Sequence, residues 1–245
     1  MLNGAWPKLH WQLFDYYLRP AGSYFGTKLG ARMEHAVFNY NDSSIHLINQ
    51  SLDRKGKRSL IVDLIDIQGK SLAHEQIKTD TTPNTSKRVG ALKARHDIKD
   101  VGFLRLTLKR GSKVLSRNVH WLPREDDVMD YNGTTSFHTP VTNYSDYTTL
   151  DRLAPAKIRA RAVQRRGETR VVLENKSNVP AFFIRMNLLD RHGEEITPVY
   201  WSDNYVTLFP REKLDFVVKH EPKGWRDHVE VELYGWNVEK MSVKS

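Results

Sequence analysis

Apolar and polar residues alternate along most of this chain in short runs. The alternation is clearest at Leu104, Leu106 and Leu108 and, later in the chain, at Phe216 and Val218. Successive side chains of a strand point to opposite faces, so this alternation is typical of strands that bury one face and expose the other. Turn-forming residues separate the runs at intervals of about 8 to 12 residues, which is the spacing of immunoglobulin-like sandwiches. The pattern therefore predicts an all-β protein.

The same series of sequence features occurs twice along the chain, in the same order. Residues 45–72 and residues 171–196 each contain an alternating apolar run, Asn-x-Ser, a second apolar run and Asp-x-x-Gly. Solenoid repeats have units of roughly 20 to 50 residues, and the separation of these two copies is far larger. We interpret the pattern as two copies of one domain. The matching pairs are Asn49 and Asn175, Ser51 and Ser177, Asp66 and Asp190, and Gly69 and Gly193.

Each part of the repeat has a local interpretation. Short Asn and Ser side chains bond to nearby backbone, so Asn-x-Ser favours a turn after a strand. Asp-x-x-Gly favours a tight hairpin, in which glycine takes the position that needs a positive φ. The unit is therefore predicted to be strand, loop, strand, hairpin turn and strand.

The alternation also places the individual strands of two tandem immunoglobulin-like sandwiches. In the first sandwich, residues 23–123, strands are predicted at 36–40, 44–49, 60–66, 71–78, 87–92, 102–109 and 114–121. In the second, residues 151–245, they are predicted at 157–164, 168–175, 181–189, 197–201, 205–209, 213–219 and 228–235. A polar connector with scattered aromatic residues, 124–150, joins the two sandwiches.

One helix is predicted, over residues 6–18 and before the first sandwich. Apolar residues recur there at helical spacing, at Trp6, Leu9, Leu13 and Tyr17, and the opposite side is also largely apolar. Residues 19–22 contain Pro20 and Gly22 and are expected to end the helix. A helix that is apolar on two faces is usually buried between other elements. Since no other helix is predicted, its partners are expected outside these 245 residues.

Composition narrows the class of protein. The chain has 245 residues and no cysteine, so each sandwich must depend on its own core and not on disulfides. No run approaches the roughly 18 apolar residues of a membrane span, and the first ten residues lack a signal-peptide pattern. The net charge of +9 comes from Lys and Arg spread along the chain. Because a nucleic-acid groove needs a clustered basic stripe, neither nucleic acid nor membrane is expected as a partner.

A search for catalytic chemistry finds no complete site. Histidines lack the paired spacing of metal ligands, and without cysteine there is no thiol nucleophile, so no metal site and no cofactor are predicted. The stretch GSYFGTK, residues 22–28, is one residue too short between its glycines for a phosphate loop. The acidic pairs Asp126-Asp127 and Glu194-Glu195 are interpreted as solvated surface charge.

Aromatic residues crowd the last third of the chain. One interpretation is a stacking platform for sugars, and the other is that the rings fill the core of the second sandwich. Several of these residues alternate inward along predicted strands, so the core is favoured. The residues are Tyr200, Trp201, Tyr205, Phe209, Trp225, Tyr234 and Trp236.

Five stretches, in order along the chain, resemble one protein family. They are LNGAWP (2–7), WQLFDYYLRPAGSYFGTK (11–28), SRNVHWL (116–122), YWSDNYVTLFPRE (200–212) and LYGWN (233–237). Together they resemble the C-terminal portion of glycoside hydrolase family 2, most of all its exo-β-D-glucosaminidase branch, with β-mannosidases and endo-β-mannosidases as cousins. Members of this family are similar in having a (β/α)₈ barrel followed by two immunoglobulin-like domains. The resemblance spans essentially the whole chain.

The resemblance implies a role as an accessory region. Residues 1–22 would be the end of the eighth barrel strand and its helix, and the two sandwiches would be structural domains of a retaining glycosidase. At the face where barrels keep their active sites, Trp6 would contact substrate, with Asn3 beside it, in the intact barrel only. The sequence departs from the family motif at Gly4, Ala5 and Arg211, which affects the expected pocket shape and one turn.

The resemblance also implies what this chain lacks. The catalytic carboxylates would lie on earlier barrel strands, so the isolated chain is expected to be inactive and to contain no catalytic residue. Its partners would be the rest of its own barrel enzyme and, through it, a glycan with β-linked glucosamine or mannose. The parent enzyme is expected to be secreted or periplasmic.

Two other functions stay open at this point. One is a free-standing carbohydrate-binding module that uses the aromatic residues between Trp201 and Trp236. The other is a basic nucleic-acid binder. The helix without partners and the ordered family motifs favour the accessory region.

Overall fold

The computed structural model describes residues 12–220 and 229–245. The chain divides into two compact units. One unit is residues 32–153, and the other combines the described residues up to Ala31 with those from Ala154 onward. Each unit contains two main antiparallel sheets, which confirms the prediction of an all-β chain with two immunoglobulin-like sandwiches.

The unit of residues 32–153, called here the first sandwich, contains nine strands. They are β1 (Glu34–Phe38), β2 (Ser44–Asn49), β3 (Gly56–Asp66), β4 (Ser71–Thr81), β5 (Thr85–Ala91), β6 (Val101–Arg110), β7 (Lys113–Pro123), β8 (Val128–Met129) and β9 (Val141–Asn143). The sheet orders are β1-β2-β5, β4-β3-β6-β7 and β8-β9, and all pairs are antiparallel. Two 3₁₀ helices span Lys93–Asp97 and Thr148–Arg152.

The core of the first sandwich is formed by the alternating residues of its strands. Leu104, Leu106 and Leu108 of β6 have no solvent exposure, and they share one apolar cluster with Ile45 and Leu47 of β2. Full burial of a leucine contributes about 1.5 to 3 kcal/mol. A shift of one residue would turn this row to the other face, so the alternation fixes the register of β6.

The second unit, called here the second sandwich, begins with one helix and contains eight strands among its described residues. They are α1 (Gly22–Gly30), β10 (Ile158–Arg165), β11 (Glu168–Asn175), β12 (Ala181–Leu189), β13 (Tyr200–Trp201), β14 (Val206–Leu208), β15 (Lys213–Lys219), β16 (Glu230–Gly235) and β17 (Val238–Lys244). The sheet orders are β10-β11-β15-β13 and β14-β12-β16-β17, again antiparallel.

The core of the second sandwich includes a side chain from α1. Phe25 of α1 is 2% exposed and belongs to the same apolar cluster as Leu173, Phe216, Leu233 and Trp201. The cluster draws on both sheets of the sandwich, and Phe25 joins it from a segment that precedes the whole first sandwich in sequence. Residues 23–31, which were expected to begin the first sandwich, therefore group with the second.

The predicted helix over residues 6–18 is wrong for the part that the structure describes. Residues 12–18 are not helical, and Phe14 forms an antiparallel bridge with Pro20. The side chain of Asp15 accepts hydrogen bonds from the backbone N–H groups of Tyr17 and Arg19, which stabilise a turn. Residues 6–11 lie outside the described part of the chain.

The helix that does form, α1, covers the stretch GSYFGTK that was considered as a phosphate loop. Its three glycines, at 22, 26 and 30, made it a weak helix candidate because glycine costs about 1 kcal/mol in a helix interior. Burial of Phe25 offsets this cost. The expectation of missing partners concerns residues 6–18 and not α1, which has a partner within this chain because Phe25 is packed in the second sandwich.

Most predicted strands are confirmed. β2, β11, β12 and β15 have the predicted bounds, and the other predicted strands are present with ends displaced by a few residues. The prediction missed β8, β9 and β17. β17 is an edge strand whose residues are mostly partly or fully exposed, so its apolar alternation is weak.

Candidate functional site

The asparagine of the repeat forms several hydrogen bonds from a buried position in the second sandwich. Asn175 is fully buried, and its Nδ2 donates to the backbone oxygens of Val179, Leu208 and Phe209 at 2.8, 3.2 and 3.2 Å. Its Oδ1 accepts the N–H of Ser177 at 2.9 Å. One side chain therefore joins the end of a strand to two loops.

The first sandwich has the same arrangement at the matching residue. Asn49 is 1% exposed, and its Nδ2 donates to the backbone oxygens of Arg54 and Thr82, both at 2.8 Å, and to Thr81 Oγ1 at 3.1 Å. Its Oδ1 accepts the N–H of Ser51 at 3.0 Å. The predicted Asn-x-Ser turn is confirmed in both copies, and its role is structural.

The Asp-x-x-Gly turns also match. Asp66 Oδ1 accepts the N–H groups of the residues two and four positions later, and Asp190 Oδ1 does the same. Gly69 and Gly193 both have φ of 82°, as predicted for the turn glycine. These backbone N–H donors hold the pKa of Asp190 below its ordinary value.

The segment that leads into α1 is the first described part of the chain after the predicted substrate contacts in sequence. Trp6 and Asn3 lie outside the described residues, so their surroundings stay a prediction. The described segment, residues 12–21, is anchored to the second sandwich: Arg19 Nε lies 2.7 Å from Glu195 Oε2, and Tyr205 Oη donates to the oxygen of Pro20 at 3.4 Å.

Helix α1 adds further anchors. Lys28 Nζ donates to the backbone oxygen of Trp201 at 2.7 Å, and the ring of Phe25 lies 5.9 Å from that of Tyr205. The ring of Tyr24 lies 4.9 Å from that of Phe14 in the preceding segment. This combination of ion pair, hydrogen bonds and ring contacts fixes the position at which the chain enters the second sandwich.

The aromatic residues of the second sandwich divide into two groups. Trp201 and Phe209 are 2% and 3% exposed, which confirms the core interpretation for both. Tyr200 and Trp236 are 59% and 60% exposed. Trp225 lies outside the described residues. Because Trp201 is buried, it is not available for stacking on a sugar.

Two tyrosines of this set have an intermediate position. The guanidinium of Arg185 lies 5.8 Å from the ring centre of Tyr205 and 6.0 Å from that of Tyr234. Arg185 Nη2 also lies 3.7 Å from Glu195 Oε1. The rings are thus engaged by a cation of the same sandwich.

The connector, residues 124–150, carries the most exposed aromatic side chains of the described chain, a feature that the sequence prediction missed. Phe137 is 95% exposed, Tyr131 77% and Tyr144 74%. Strands β8 and β9 lie within the connector and form a hairpin. The sequence does set the connector apart by its charge: it has five carboxylates and one arginine, whereas the whole chain has a net charge of +9.

Five carboxyl groups of the described residues have a pKa below the ordinary value, chiefly because hydrogen bonds stabilise the charged form. They are Asp42, Asp53, Asp146, Glu174 and Asp190. Residues 12–220 and 229–245 contain no group of three or more metal-ligating side chains. They also contain no helix with the length and apolar character of a membrane crossing.

His120 is a partly buried titratable group whose pKa is displaced. Burial lowers its pKa to about 4, and its Nε2 has no hydrogen-bond partner among the described residues. The rings of Phe38 and Tyr40 lie 6.0 and 6.1 Å from the imidazole. His120 belongs to the inward-facing row of β7 that also holds Ser116 and Asn118, and it is neutral at pH 7.

Two family models match this chain. The model of the exo-β-D-glucosaminidase Ig-fold domain matches residues 136–238, and that of the mannosidase Ig/CBM-like domain matches residues 41–124. Together they cover most of both sandwiches, but not α1, β1, β8 or most of β17.

Curated relatives extend the match to the whole chain. An exo-β-D-glucosaminidase of Arthroderma benhamiae is 54% identical across 99% of this chain, and one of Hypocrea jecorina is 43% identical across 100%. In both cases the chain spans 28% of the length of the relative.

Solved structures give the same result. The crystal structure of an exo-chitosanase from Amycolatopsis orientalis matches 100% of this chain and 30% of its own, with a TM-score of 0.93 and 26% identity. A β-D-mannosidase from Dictyoglomus thermophilum, at 16% identity and a TM-score of 0.65, shares the fold. The chain thus matches the C-terminal immunoglobulin-like domains of exo-β-D-glucosaminidases, an accessory region of glycoside hydrolase family 2.

Proposed function

We propose that this chain is the structural accessory region of a larger retaining glycosidase that removes β-linked glucosamine from the end of a glycan. The observation that carries this proposal is the match of 99% of the chain to 28% of an exo-β-D-glucosaminidase at 54% identity. β-linked mannose is the second candidate substrate, because residues 41–124 match a mannosidase domain model. The remainder of the parent enzyme is the principal partner.

The proposed role of the second sandwich is to hold the chain where it leaves the catalytic barrel. The anchors of residues 12–31 support this role, since the pair of Arg19 with Glu195 and the burial of Phe25 fix this segment on the sandwich. In the parent enzyme, Trp6 then contacts the sugar at the barrel face, with Asn3 beside it. A catalytic geometry tolerates errors of well under 1 Å, so a firm anchor nearby matters for activity.

The isolated chain is proposed to be inactive. Retaining glycosidases need one carboxyl group as acid and a second as nucleophile, about 5 to 5.5 Å apart. The displaced carboxyl groups described above all favour the ionised form, and each is bonded to nearby backbone or side chains of its own loop or strand. These carboxyl groups therefore stabilise turns or form ion pairs at the surface.

The test is a comparison of the full-length protein that carries this chain with the isolated 245-residue chain. Nitrophenyl β-D-glucosaminide and nitrophenyl β-D-mannoside are offered to both. We expect release of nitrophenol only by the full-length protein, and faster release from the glucosaminide. Hydrolysis by the isolated chain would overturn the inactive role, and a full-length protein without activity on either substrate would overturn the proposed function.

A matched pair of variants tests the proposed sugar contact. In the full-length protein, Trp6→Ala is expected to lower kcat/KM by about 10-fold to 1,000-fold, because a wall of the sugar pocket is lost. Tyr200→Ala removes an exposed ring from the second sandwich and should leave kcat/KM unchanged. Equal effects of the two variants would contradict the role of Trp6.

A further inference from the structure

The connector, residues 124–150, presents aromatic rings in an unusual way. Phe137, Tyr131 and Tyr144 are 95%, 77% and 74% exposed, far more than aromatic side chains of a folded protein usually are. A contiguous exposed apolar patch generally marks a binding surface, and all three rings belong to this one connector segment. The first question is whether these rings are held in place or are part of a loose loop.

The backbone of the connector hairpin is fixed by its own hydrogen bonds. The N–H of Asp130 donates to the oxygen of Pro140 at 2.8 Å, which continues the pairing of β8 with β9. The side chain of Asp130 accepts the N–H groups of Asn132 and Gly133, both at 3.0 Å. The N–H of Thr135 donates to the oxygen of His138 at 2.9 Å.

Gly133 makes this tip compact. A Cβ at this position would lie 2.6 Å from Asp130 Oδ2 and 3.3 Å from Pro140 Cγ, so only glycine fits without displacement. The rings of Tyr131 and Phe137 therefore project from an ordered turn. A ligand that binds to a preformed surface does not have to order a loop, which lowers the entropic cost of binding.

The charge of the connector identifies the kind of ligand. Its five carboxylates and one arginine give a net charge of −4, whereas the whole chain has a net charge of +9. Asp126 pairs with Arg95 at 3.0 Å, but Glu125 is exposed and makes no hydrogen bond or ion pair with any described residue. A cationic ligand is therefore attracted to the connector, and repelled by the rest of the chain.

A cleft lies beside one of the three aromatic residues, Tyr144. Its volume is about 300 Å³, and the acidic residues Glu125, Asp146 and Asp100 also line it. Lys99 and Arg124 also line the cleft, so its charged side chains sum to one negative charge. A cleft of this size accommodates one or two sugar units.

From these observations we infer that the connector binds a chain of protonated glucosamine units, with sugar faces packed on Tyr131, Phe137 and Tyr144 and ammonium groups near the connector carboxylates. Aromatic rings offer a large apolar face at low conformational cost, and they also attract cations. The choice of glucosamine rests on the proposed function. Such a site would retain a long substrate on the parent enzyme between successive cleavages.

The exposed aromatic residues of the second sandwich lack the negatively charged surroundings of the connector rings. Tyr200 lies next to Lys219 on the neighbouring strand. The outer face of the same sheet has a groove whose charged lining residues, Arg159, Arg161, Lys213 and Glu174, sum to two positive charges. A protonated glucosamine chain is repelled there. Tyr200 is therefore the matched control for the connector rings.

The experiment measures binding to the 245-residue chain by titration calorimetry at low ionic strength and mildly acidic pH. The probes are a glucosamine hexamer and the N-acetylglucosamine hexamer, which has the same linkage and no charge. We expect saturable binding of the glucosamine hexamer, and at least about tenfold weaker binding of the acetylated one. Added salt should weaken binding, since part of the attraction is between exposed charges.

Variants then assign the binding to the connector. Tyr131→Ala with Phe137→Ala is expected to weaken binding at least about tenfold, and Glu125→Gln about twofold to fivefold. Tyr200→Ala should leave the affinity unchanged. All these side chains are exposed, so circular dichroism should report an unchanged fold for each variant.

Three outcomes would overturn the inference: absence of saturable binding, equal affinity for the two hexamers, or full affinity in the connector variant. The first outcome would assign the exposed rings to packing against the remainder of the parent protein. The result is independent of the nitrophenyl assay, which does not require a long glycan. Loss of that activity with hexamer binding intact would overturn the proposed function alone.

Discussion

Single asparagines have the same structural role in both sandwiches. Asn49 and Asn175 each satisfy backbone or side-chain oxygens from two loops, and each bonds the N–H of the serine two residues later. A buried carbonyl left without a donor costs about 1 to 3 kcal/mol. These residues therefore hold the strand ends and loops of a sandwich in one arrangement.

We expect Asn175→Ala to lower the free energy of unfolding by about 2 to 4 kcal/mol, because three backbone oxygens lose the two hydrogens of Nδ2 that they share. Urea denaturation measures the change. The control is Asn178→Ala, three residues later, where an exposed side chain accepts hydrogen bonds only from Arg211. The control should cost less than about 0.5 kcal/mol, and equal losses would contradict the assigned role.

His120 gives the first sandwich a dependence on pH. Its pKa in the folded state is about 4, below the ordinary 6.5, so the unfolded chain binds a proton more readily between these values. Its stabilising contribution is complete above about pH 6.5 and is lost as the pH falls toward 4, by about 1.4 kcal/mol per pH unit. Denaturation at pH 7 and pH 5 should show a smaller difference for His120→Asn than for the natural sequence. An identical pH dependence of the two proteins would refute this.

At the residue scale, the sequence predicted turns but not their buried contacts. Asn-x-Ser and Asp-x-x-Gly are local patterns, and both turns formed as expected. The carbonyls that Asn175 bonds at Leu208 and Phe209 are more than 30 residues away, and no local pattern indicates them. The exposure of Phe137 also depends on residues far away in sequence. The sequence therefore indicated the polar character of the connector but not this exposure.

The elements of the chain depend on glycine in two opposite ways. Gly193 has a positive φ in its hairpin turn, whereas Gly26 lies inside α1, and a Cβ at either position meets no atom within 4 Å. Gly193→Ala should therefore destabilise the second sandwich by about 1 to 2 kcal/mol through backbone strain alone. Gly26→Ala should stabilise it by about 0.5 to 1 kcal/mol. Thermal denaturation measures both, and shifts of the same sign would disprove the argument.

Elements were predictable where one periodicity dominated. Strand β11 alternates over its eight residues, and β12 alternates between apolar and polar residues from Ile184 to Leu188. The bounds of both strands were predicted correctly. The segment of residues 6–18 has helical spacing as well, but Asp15 and Pro20 favour a turn, and residues 12–18 follow these local signals. Helix α1 was missed because its stability depends on the distant core around Phe25, a tertiary contact that overrides the poor propensity of its glycines.

At the scale of the molecule, each sandwich has its own apolar cluster. We therefore expect Phe25→Ala to lower the midpoint of only one thermal transition, by more than about 10 °C, because loss of a buried phenylalanine costs about 3 to 5 kcal/mol. Scanning calorimetry measures this, and Asn175→Ala should move the same transition. Tyr17→Ala, which removes a ring that is 53% exposed, is the control. A shift of both transitions by Phe25→Ala would show that the sandwiches unfold together.

The organisation into two domains was predictable because one pattern occurs twice in the sequence. Two copies of one strand-and-turn pattern, each within a domain-sized stretch, indicated two sandwiches before any contact was known. The copies differ after the second turn: β4 pairs with β3 along almost its whole length, whereas the segment after Gly193 forms one bridge and then joins the other sheet as β13. The predicted substrate contacts, Trp6 and Asn3, remain predictions.

The second sandwich is discontinuous in sequence, since its first residues precede residues 32–153 and the remainder follow them. A ribosome adds about 5 to 20 residues per second, so roughly 6 to 25 seconds pass between the synthesis of Ala31 and that of Ala154. During this interval Phe25 has no core to enter, while the first sandwich can already fold. The domain that starts first on the ribosome is therefore the one that is completed last.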